Sequence, residues 1–384
     1  MLKGRSEVDF KSVLDEWPEA RLRAMFDRVT TAQVEAALAR EDHTIADLAA
    51  LLSPQARPFL ERVAREAQRL TRWHFGRTIS LYAPLYFSNL CAADCVYCGF
   101  SFRSGIRDKR LTLKPDEIRR ECAALAARGF QSILLLTGEA PKVVTVDAIT
   151  EAVAIAREYF HSVAIEVYSL DTADYERLVA LGLEGVTLYM ETYDRDVYSQ
   201  VHLEGQKADY DYRLDAIERA GNAGARRLSI GVLLGLADWR IDVLRLALHA
   251  KYLQKTCWQS AVALSFPRLR HTPDRFHVEH PVSDAEFVQL IAAMRLYLPE
   301  AGFNLSTREP AGLRDRLIPL GITHMSAGSS TKPGGYTERG VLALEQFEIE
   351  DHRGPLEVVD AIRRAGYDPV WKDYDHAFHG PDGP

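Results

Sequence analysis

The sequence predicts an α/β protein, a (β/α)8 TIM-type barrel with an N-terminal helical extension and a C-terminal extension. From residue 79 onward, short apolar runs of strand length alternate with amphipathic segments long enough to be crossover helices. The chain ahead of residue 79 carries helical patterning. A group of cysteines follows directly on the first apolar run, at the strand end where a barrel of this kind keeps its chemistry.

In chain order, the run Thr31 to Arg40 has a threonine before its apolar pattern, and Thr44 to Leu52 repeats the arrangement. Ser53-Pro54 then breaks and restarts the helix, with Pro54 suited to a first helical position. Strands are expected at 79–87, 131–136, 163–168, 184–189, 227–233, 259–265, 302–306 and 322–327, with helices such as Pro115 to Arg128 and Ala173 to Ala180 between them. This assigns 1–78 to the helical extension, 79–327 to the barrel and 328–384 to a tail expected to cover the barrel rim. The tail has its own composition, with Gly334-Gly335-Tyr336, then Trp371 to Asp375, then a Gly/Pro-rich end whose last six residues are expected to be mobile.

With 384 residues, 47% of them apolar, the chain has ample material for a large core. A net charge of −7 argues against nucleic acid or an anionic membrane as the main partner. Runs such as Ile133 to Leu136 are far shorter than the ~20 residues a membrane helix requires. No signal peptide is read at the start, and free thiols suit a reducing compartment, so the cytoplasm is expected.

Cys91-Ala92-Ala93-Asp94-Cys95-Val96-Tyr97-Cys98 places three of the five cysteines in a C-x3-C-x2-C run. Zinc would want four closed ligands, and Cys122 and Cys257 are single and distant. A disulfide framework fails on the odd number of cysteines and on the size of the chain. Three thiolates instead suit a 4Fe–4S cube held at three corners, its fourth iron open to an outside ligand. The ligand this spacing suggests is S-adenosylmethionine (SAM), so the reading is of cofactor-borne radical chemistry, with the protein supplying position and exclusion of water. Tyr97 and the following Gly99-Phe100 suit a buried, partly apolar site.

Other candidates lie at strand ends. Gly138 permits close backbone approach, and Glu139 beside it is placed to take the SAM ammonium; alone, the triplet Thr137-Gly138-Glu139 reads equally as a strand-end turn. Glu191 follows the fourth strand and suits ribose hydroxyls or an amine, its alternative being a solvated loop acid. Arg213 reads as the start of a helix over Tyr212 to Gly221, placed either to pair with a carboxylate or to form a surface ion pair. Gly231 and Gly235 flank the fifth strand end, as a platform for a purine or as a bulge or turn. Ser306 and Arg308 end the seventh strand. Arg308 is the choice for an amino-acid carboxylate, Tyr86 its hydrogen-bonding companion, and Arg268 and Arg270 its competitors. The twelve histidines show no ligand spacing.

These blocks together have a family character. Pro84 to Ser101, Ser265 to Arg270, Leu305 to Glu309, Lys332 to Tyr336 and Pro369 to Asp373 resemble the radical SAM aromatic amino-acid lyases, and within them the 2-iminoacetate synthases, the tyrosine lyases of thiamine biosynthesis. The resemblance implies that Cys91, Cys95 and Cys98 hold a 4Fe–4S cluster, that Glu139, Glu191 and Arg213 help seat SAM, and that Arg308 faces the substrate carboxylate. The implied reaction starts with a 5′-deoxyadenosyl radical removing hydrogen from the amino nitrogen of L-tyrosine. The Cα–Cβ bond then breaks, giving 2-iminoacetate and, after reduction, 4-cresol. Thiazole synthase as acceptor and a flavodoxin- or ferredoxin-type electron donor are the implied partners. Ala93 stands where asparagine is expected in the tyrosine enzymes, which loosens any hydrogen bond made from that position near SAM.

Three other readings compete with this one. A tryptophan lyase making an indole acid would share the barrel and the SAM site. A maturase making carbon monoxide and cyanide from tyrosine needs a second cluster on C-terminal cysteines, and this chain has none after Cys257. An iron–sulfur carrier would need no large barrel.

Overall fold

The computed structural model describes residues 9–104, 109–270, 273, 276–337 and 342–372; the expectations for Asp373 to Asp375 and for the last six residues lie outside them. Eight parallel strands form the barrel: β1 (Thr78–Ser88), β2 (Ser132–Thr137), β3 (Ser162–Glu166), β4 (Gly185–Thr187), β5 (Arg227–Gly231), β6 (Ala261–Ser265), β7 (Gly302–Leu305) and β8 (His324–Ser326). They pair in sequence order, and β1 closes the ring between β8, from Ser80↔His324 to Tyr82↔Ser326, and β2, from Ala83↔Ile133 to Ser88↔Thr137. The strands are shorter than the apolar runs suggest at several ends, because residues beyond the last ladder bond peel into the loops.

A ninth strand, β9 (Asp368–Val370), was not expected from the pattern. It pairs with the start of β1, Thr78↔Asp368 to Ser80↔Val370. Its central Pro369 lacks an N–H, which an edge strand tolerates. Between β8 and β9 the chain visits the opposite end of the barrel: Gly99 N–H bonds Gln346 O, and the Asn89 side chain bonds Leu344 O.

Local signals set the helices. Thr44 and Asp47 cap the helix Ile45–Leu52 reciprocally, and Ser283 and Glu286 do the same for Asp284–Tyr297. The cap of Thr31–Leu38 is Thr30, one residue before the expected start. Pro54 opens a 3₁₀ turn, Pro54–Phe59. The N-terminal helices lie on Trp239–Thr256 and Asp284–Tyr297, where buried Gln289 donates to Leu51 O and Ser53 O at 2.9 and 2.8 Å and Phe10 stacks on His249 at 3.9 Å. One apolar cluster runs from Phe10 through the barrel walls to Tyr367.

Behind β8, the Arg314 guanidinium is fully buried and donates to Asp351 and to Ser326 O. Burial alone would raise the Asp351 carboxyl, but hydrogen bonds from Arg353 and Arg314 hold it down at about 2, below its ordinary 3.8. Asp351→Ala is expected to cost about 3–5 kcal/mol in urea unfolding, because it leaves a buried charge unpaired. A depressed carboxyl contributes stability above its unfolded value and loses it as pH falls through its folded one. The wild-type advantage over the mutant should therefore shrink between about pH 4 and pH 2.

Candidate active site

β1 ends in a loop that carries the three thiols. Its backbone is zipped antiparallel to residues 201–204: Val96 N bonds Val201 O, Leu203 N bonds Asp94 O, and Asp94 N bonds Glu204 O. From β2, Gly138 packs so closely on Leu90 and Cys91 that a Cβ there would collide with the Leu90 carbonyl. The loop is thus fixed from two sides. Cys95 is buried, while Cys91 and Cys98 lie between two small apolar clusters, one around Ala93, Cys95 and Tyr97 and the other around Tyr86, Phe100 and Leu136. Ala93 is 1% exposed, in surroundings suited to a methyl group.

Burial pushes the Cys91 thiol up to about 11, with Cys98 and Glu139 adding to it, and burial raises Cys95 and Cys98 as well. Thiolates form here when positive charge arrives to offset them, which the iron of a cluster does. Among the described residues no three His, Cys, Asp or Glu converge as a single metal ion would require; a cube takes its thiolates at separate corners. The donor set therefore fits a cluster, with room for a ligand on one side. Cys98 lines a cavity that runs into the barrel.

The charged groups near the loop are mostly paired. Arg213 is buried, donates from Nη1 to Glu139 Oε1 at 2.8 Å and from Nε to Tyr189 O at 2.8 Å, so it is no surface ion pair. It sits in the last turn of a short helix, Tyr210–Leu214, rather than at the start of a longer one; a second helix, Ala216–Asn222, begins after Asp215. Glu139 Oε2 is buried and has no hydrogen-bond partner among the described residues. Glu191 accepts from Lys207 Nζ at 2.7 Å. Its φ of +69° is the one left-handed non-glycine backbone among the described residues, held by Leu233 N bonding Glu191 O at 2.7 Å. Such strain costs on the order of 1 kcal/mol and marks a side chain whose aim is fixed by its surroundings.

Deeper in, Arg308 is the exception. It is half-buried in the cavity, with its Nε buried and unpartnered and its guanidinium 3.7 Å over the Phe347 ring, and it forms no ion pair among the described residues. Burial lowers its pKa from 12.5. Arg268 is satisfied by a two-point contact with Glu309 and by Asp284, and Arg270 pairs with Glu309 and Glu350, so neither competitor is available. Ser306 Oγ accepts from Arg308 N at 3.4 Å. Tyr86 donates to Gln346 Oε1 at 2.6 Å, which ties the tail to the cavity wall. On the cavity's inner side, Asn304 bonds Ser229 and Ser265, and Tyr189 donates to Ser265 Oγ at 2.8 Å.

Gly231 and Gly235 do not line the cavity: a Cβ at Gly231 would meet Ser265 O at 2.7 Å and the Tyr189 ring at 2.9 Å, and one at Gly235 would face Val278 and Leu269. Tyr97 lines it with its ring, its hydroxyl donating to His202 Nε2 at 2.8 Å. His202 in turn donates from Nδ1 to Tyr198 O at 3.1 Å, a tautomer fixed by these partners, and burial with Lys207 and Arg213 keeps it neutral. The sequence reading missed His202, Lys207, Gln346 and Glu166. An acid inside an apolar strand of a parallel sheet is the signal that would have found Glu166.

Residues 85–247 match the radical SAM superfamily and residues 265–368 the biotin and thiamin synthesis associated domain. The chain is 44% identical to the 2-iminoacetate synthase of Salmonella typhimurium and 45% identical to that of Escherichia coli, each over 94% of this chain and 94% of the relative. It superposes on HydG, a maturase of the FeFe-hydrogenase, with a TM-score of 0.86 and 30% identity, over 92% of this chain and 80% of that one. With that identity along nearly its whole length, and a three-thiol loop at the mouth of a closed barrel, the chain belongs to the 2-iminoacetate synthase family of radical SAM enzymes, whose cofactors are a 4Fe–4S cluster and SAM.

Proposed function

We propose that this protein cleaves the Cα–Cβ bond of L-tyrosine to 2-iminoacetate and 4-cresol, consuming SAM, as a step toward the thiazole of thiamine. The observation that carries the reading is Arg308, a half-buried guanidinium without an ion-pair partner among the described residues, in the same cavity as Cys98, with the two neighbouring arginines already engaged. Cys91, Cys95 and Cys98 would hold the cluster, which with SAM supplies one-electron cleavage and the radical that follows. Arg308 and Ser306 position the amino-acid carboxylate, so that the amine and not the β-carbon faces the reacting centre. Tyr86, through Gln346, and Phe347 over Arg308 bring the tail to the substrate and exclude water. The hydroxyl and amide groups of Ser265, Asn304 and Tyr189 give a phenol polar neighbours that an indole ring uses less well.

Glu139, Glu191 and Arg213 seat SAM in this reading: Glu139 Oε2 is the free acceptor for its ammonium, and Arg213 holds the other oxygen. Arg213→Ala is expected to weaken SAM binding about tenfold or more and to slow 5′-deoxyadenosine formation even without amino acid. Unchanged SAM affinity by equilibrium dialysis would remove Arg213 from the site.

2-Iminoacetate hydrolyses readily, which favours direct transfer to a thiazole synthase. Phe102 and Leu203, exposed beside the cysteine loop, offer that partner an apolar footing. A flavodoxin- or ferredoxin-type protein would deliver the electron. Among the described residues no helix is long and apolar enough to cross a membrane, in keeping with work in the cytoplasm. Anaerobic incubation of reconstituted protein with L-tyrosine and separately with L-tryptophan tests the reading: 4-cresol and glyoxylate are expected from the first, and turnover of tryptophan alone would overturn it.

A further inference from the structure

Glu166 is the last residue of β3, in register with Leu136 and through it with Tyr86, and its side chain lines the cavity. It makes no hydrogen bond and no ion pair with any described residue. The other cavity charges are Glu191 with Lys207, Glu309 with two arginines, and Arg308, which like Glu166 stands alone. Glu166 and Arg308 act on each other electrostatically yet do not pair, so a gap separates an unpaired acid from an unpaired cation. A zwitterion carries an anion and a cation on one carbon and fills such a gap with both charges matched.

We propose that Glu166 is the catalytic base that binds the substrate's α-ammonium group and takes its proton, leaving the neutral amine for the radical step. The inference rests on the amino-acid lyase reading above. Its chemistry is balanced without a further reagent: the ammonium loses one proton, the carboxylate becomes a carboxylic acid, and no electron moves. The need is general, because removing a hydrogen atom from an ammonium leaves charge on an electron-poor nitrogen, whereas a neutral amine keeps a lone pair to stabilise the radical. The environment suits the task. Burial first and the Glu191 charge second hold Glu166 up at about 7, against the lowering influence of Lys207, Arg213 and Arg308. From β1 and the loop after β4, the phenols of Tyr82, Tyr86 and Tyr189 face it, all neutral in this range. A base with a pKa near the working pH transfers protons most effectively.

The test compares wild type, Glu166→Gln and Glu166→Asp, all reconstituted anaerobically, with iron content and SAM affinity reporting that each is folded and loaded. In wild type, kcat/KM for 4-cresol formation from L-tyrosine should rise with pH through about 7 as the carboxylate ionises. In Glu166→Gln it should fall about 10²–10⁴-fold at neutral pH and recover only as pH approaches the amine's own pKa, while Glu166→Asp retains part of the rate and the lower-pH limb. A second readout is binding alone. Competition calorimetry should give wild type a preference for L-tyrosine over 3-(4-hydroxyphenyl)propionate, which has no amine, and Glu166→Gln should lose about tenfold or more of it. Wild-type kcat/KM and an unaltered pH profile in Glu166→Gln would overturn the assignment alone. A wild type that makes no 4-cresol overturns the lyase reading and this assignment with it.

Discussion

Alanine at any one of Cys91, Cys95 or Cys98 is expected to abolish SAM cleavage, whereas Cys257→Ala retains it. The intact protein should take up about four irons per chain, three of them anchored by thiolates. Removing one anchor leaves two irons unheld in a pocket whose burial already disfavours bare thiolate, so the remaining pair is a poor site. The loop is also too tightly fixed to bring in a substitute, since residues 94–96 are bonded along 201–204 and Cys91 is pressed against Gly138. Cys257, by contrast, ends the helix Trp239–Thr256 and packs against Gly221. The measurements are iron content and anaerobic 5′-deoxyadenosine release. Retained cleavage in any of the three variants would move the cluster elsewhere.

Arg308→Ala is expected to keep the cluster and SAM affinity but to lower 4-cresol formation about a hundredfold or more, since a misplacement of about 1 Å can cost that much. Truncation also leaves the substrate carboxylate buried with no partner, a penalty beyond the lost hydrogen bonds. Misdirection is the more specific outcome: with the amine turned away, a C–H bond is exposed, and deuterium from substrate carbon should appear in 5′-deoxyadenosine. Quantifying 4-cresol, glyoxylate and labelled 5′-deoxyadenosine from wild type and variant decides it. A variant at the wild-type rate would eliminate Arg308; Arg268 and Arg270 would then have to act from within their contacts with Glu309.

The barrel was legible because strands such as Ser132–Thr137 and Ala261–Ser265 are near-continuous apolar runs, as strands buried on both faces tend to be, and the cysteine spacing carried its chemistry in eight consecutive residues. Where the reading slipped, a local pattern was ambiguous. Leu214, Ala216 and Ile217 keep helical spacing across Asp215, so the break there is invisible to periodicity. Lys207 lies in a polar 3₁₀ turn that looks solvated until the fold lays it against Glu191. Arg268, Arg270 and Arg308 cannot be ranked in sequence, because what separates them is which one Glu309 leaves alone. β9 was missed because three residues with a central proline carry no strand signal by themselves.

That short strand has a consequence for the order of events in the cell. Thr78 must wait for Asp368, and Ser80 for His324, so the first strand gains its second neighbour and its extension only from residues made long after it. At about 5–20 residues per second, ribosomal synthesis leaves the first strand and its thiol loop without their final neighbours for roughly 15–60 s. Metal loading is thus expected only once residues 324–370 have joined the barrel, and a nascent chain stalled ahead of them would expose the three cysteines to oxidants and stray zinc. Ribosome-bound intermediates truncated ahead of residue 324 should accordingly be protease-sensitive along β1, and release of the full chain should protect it.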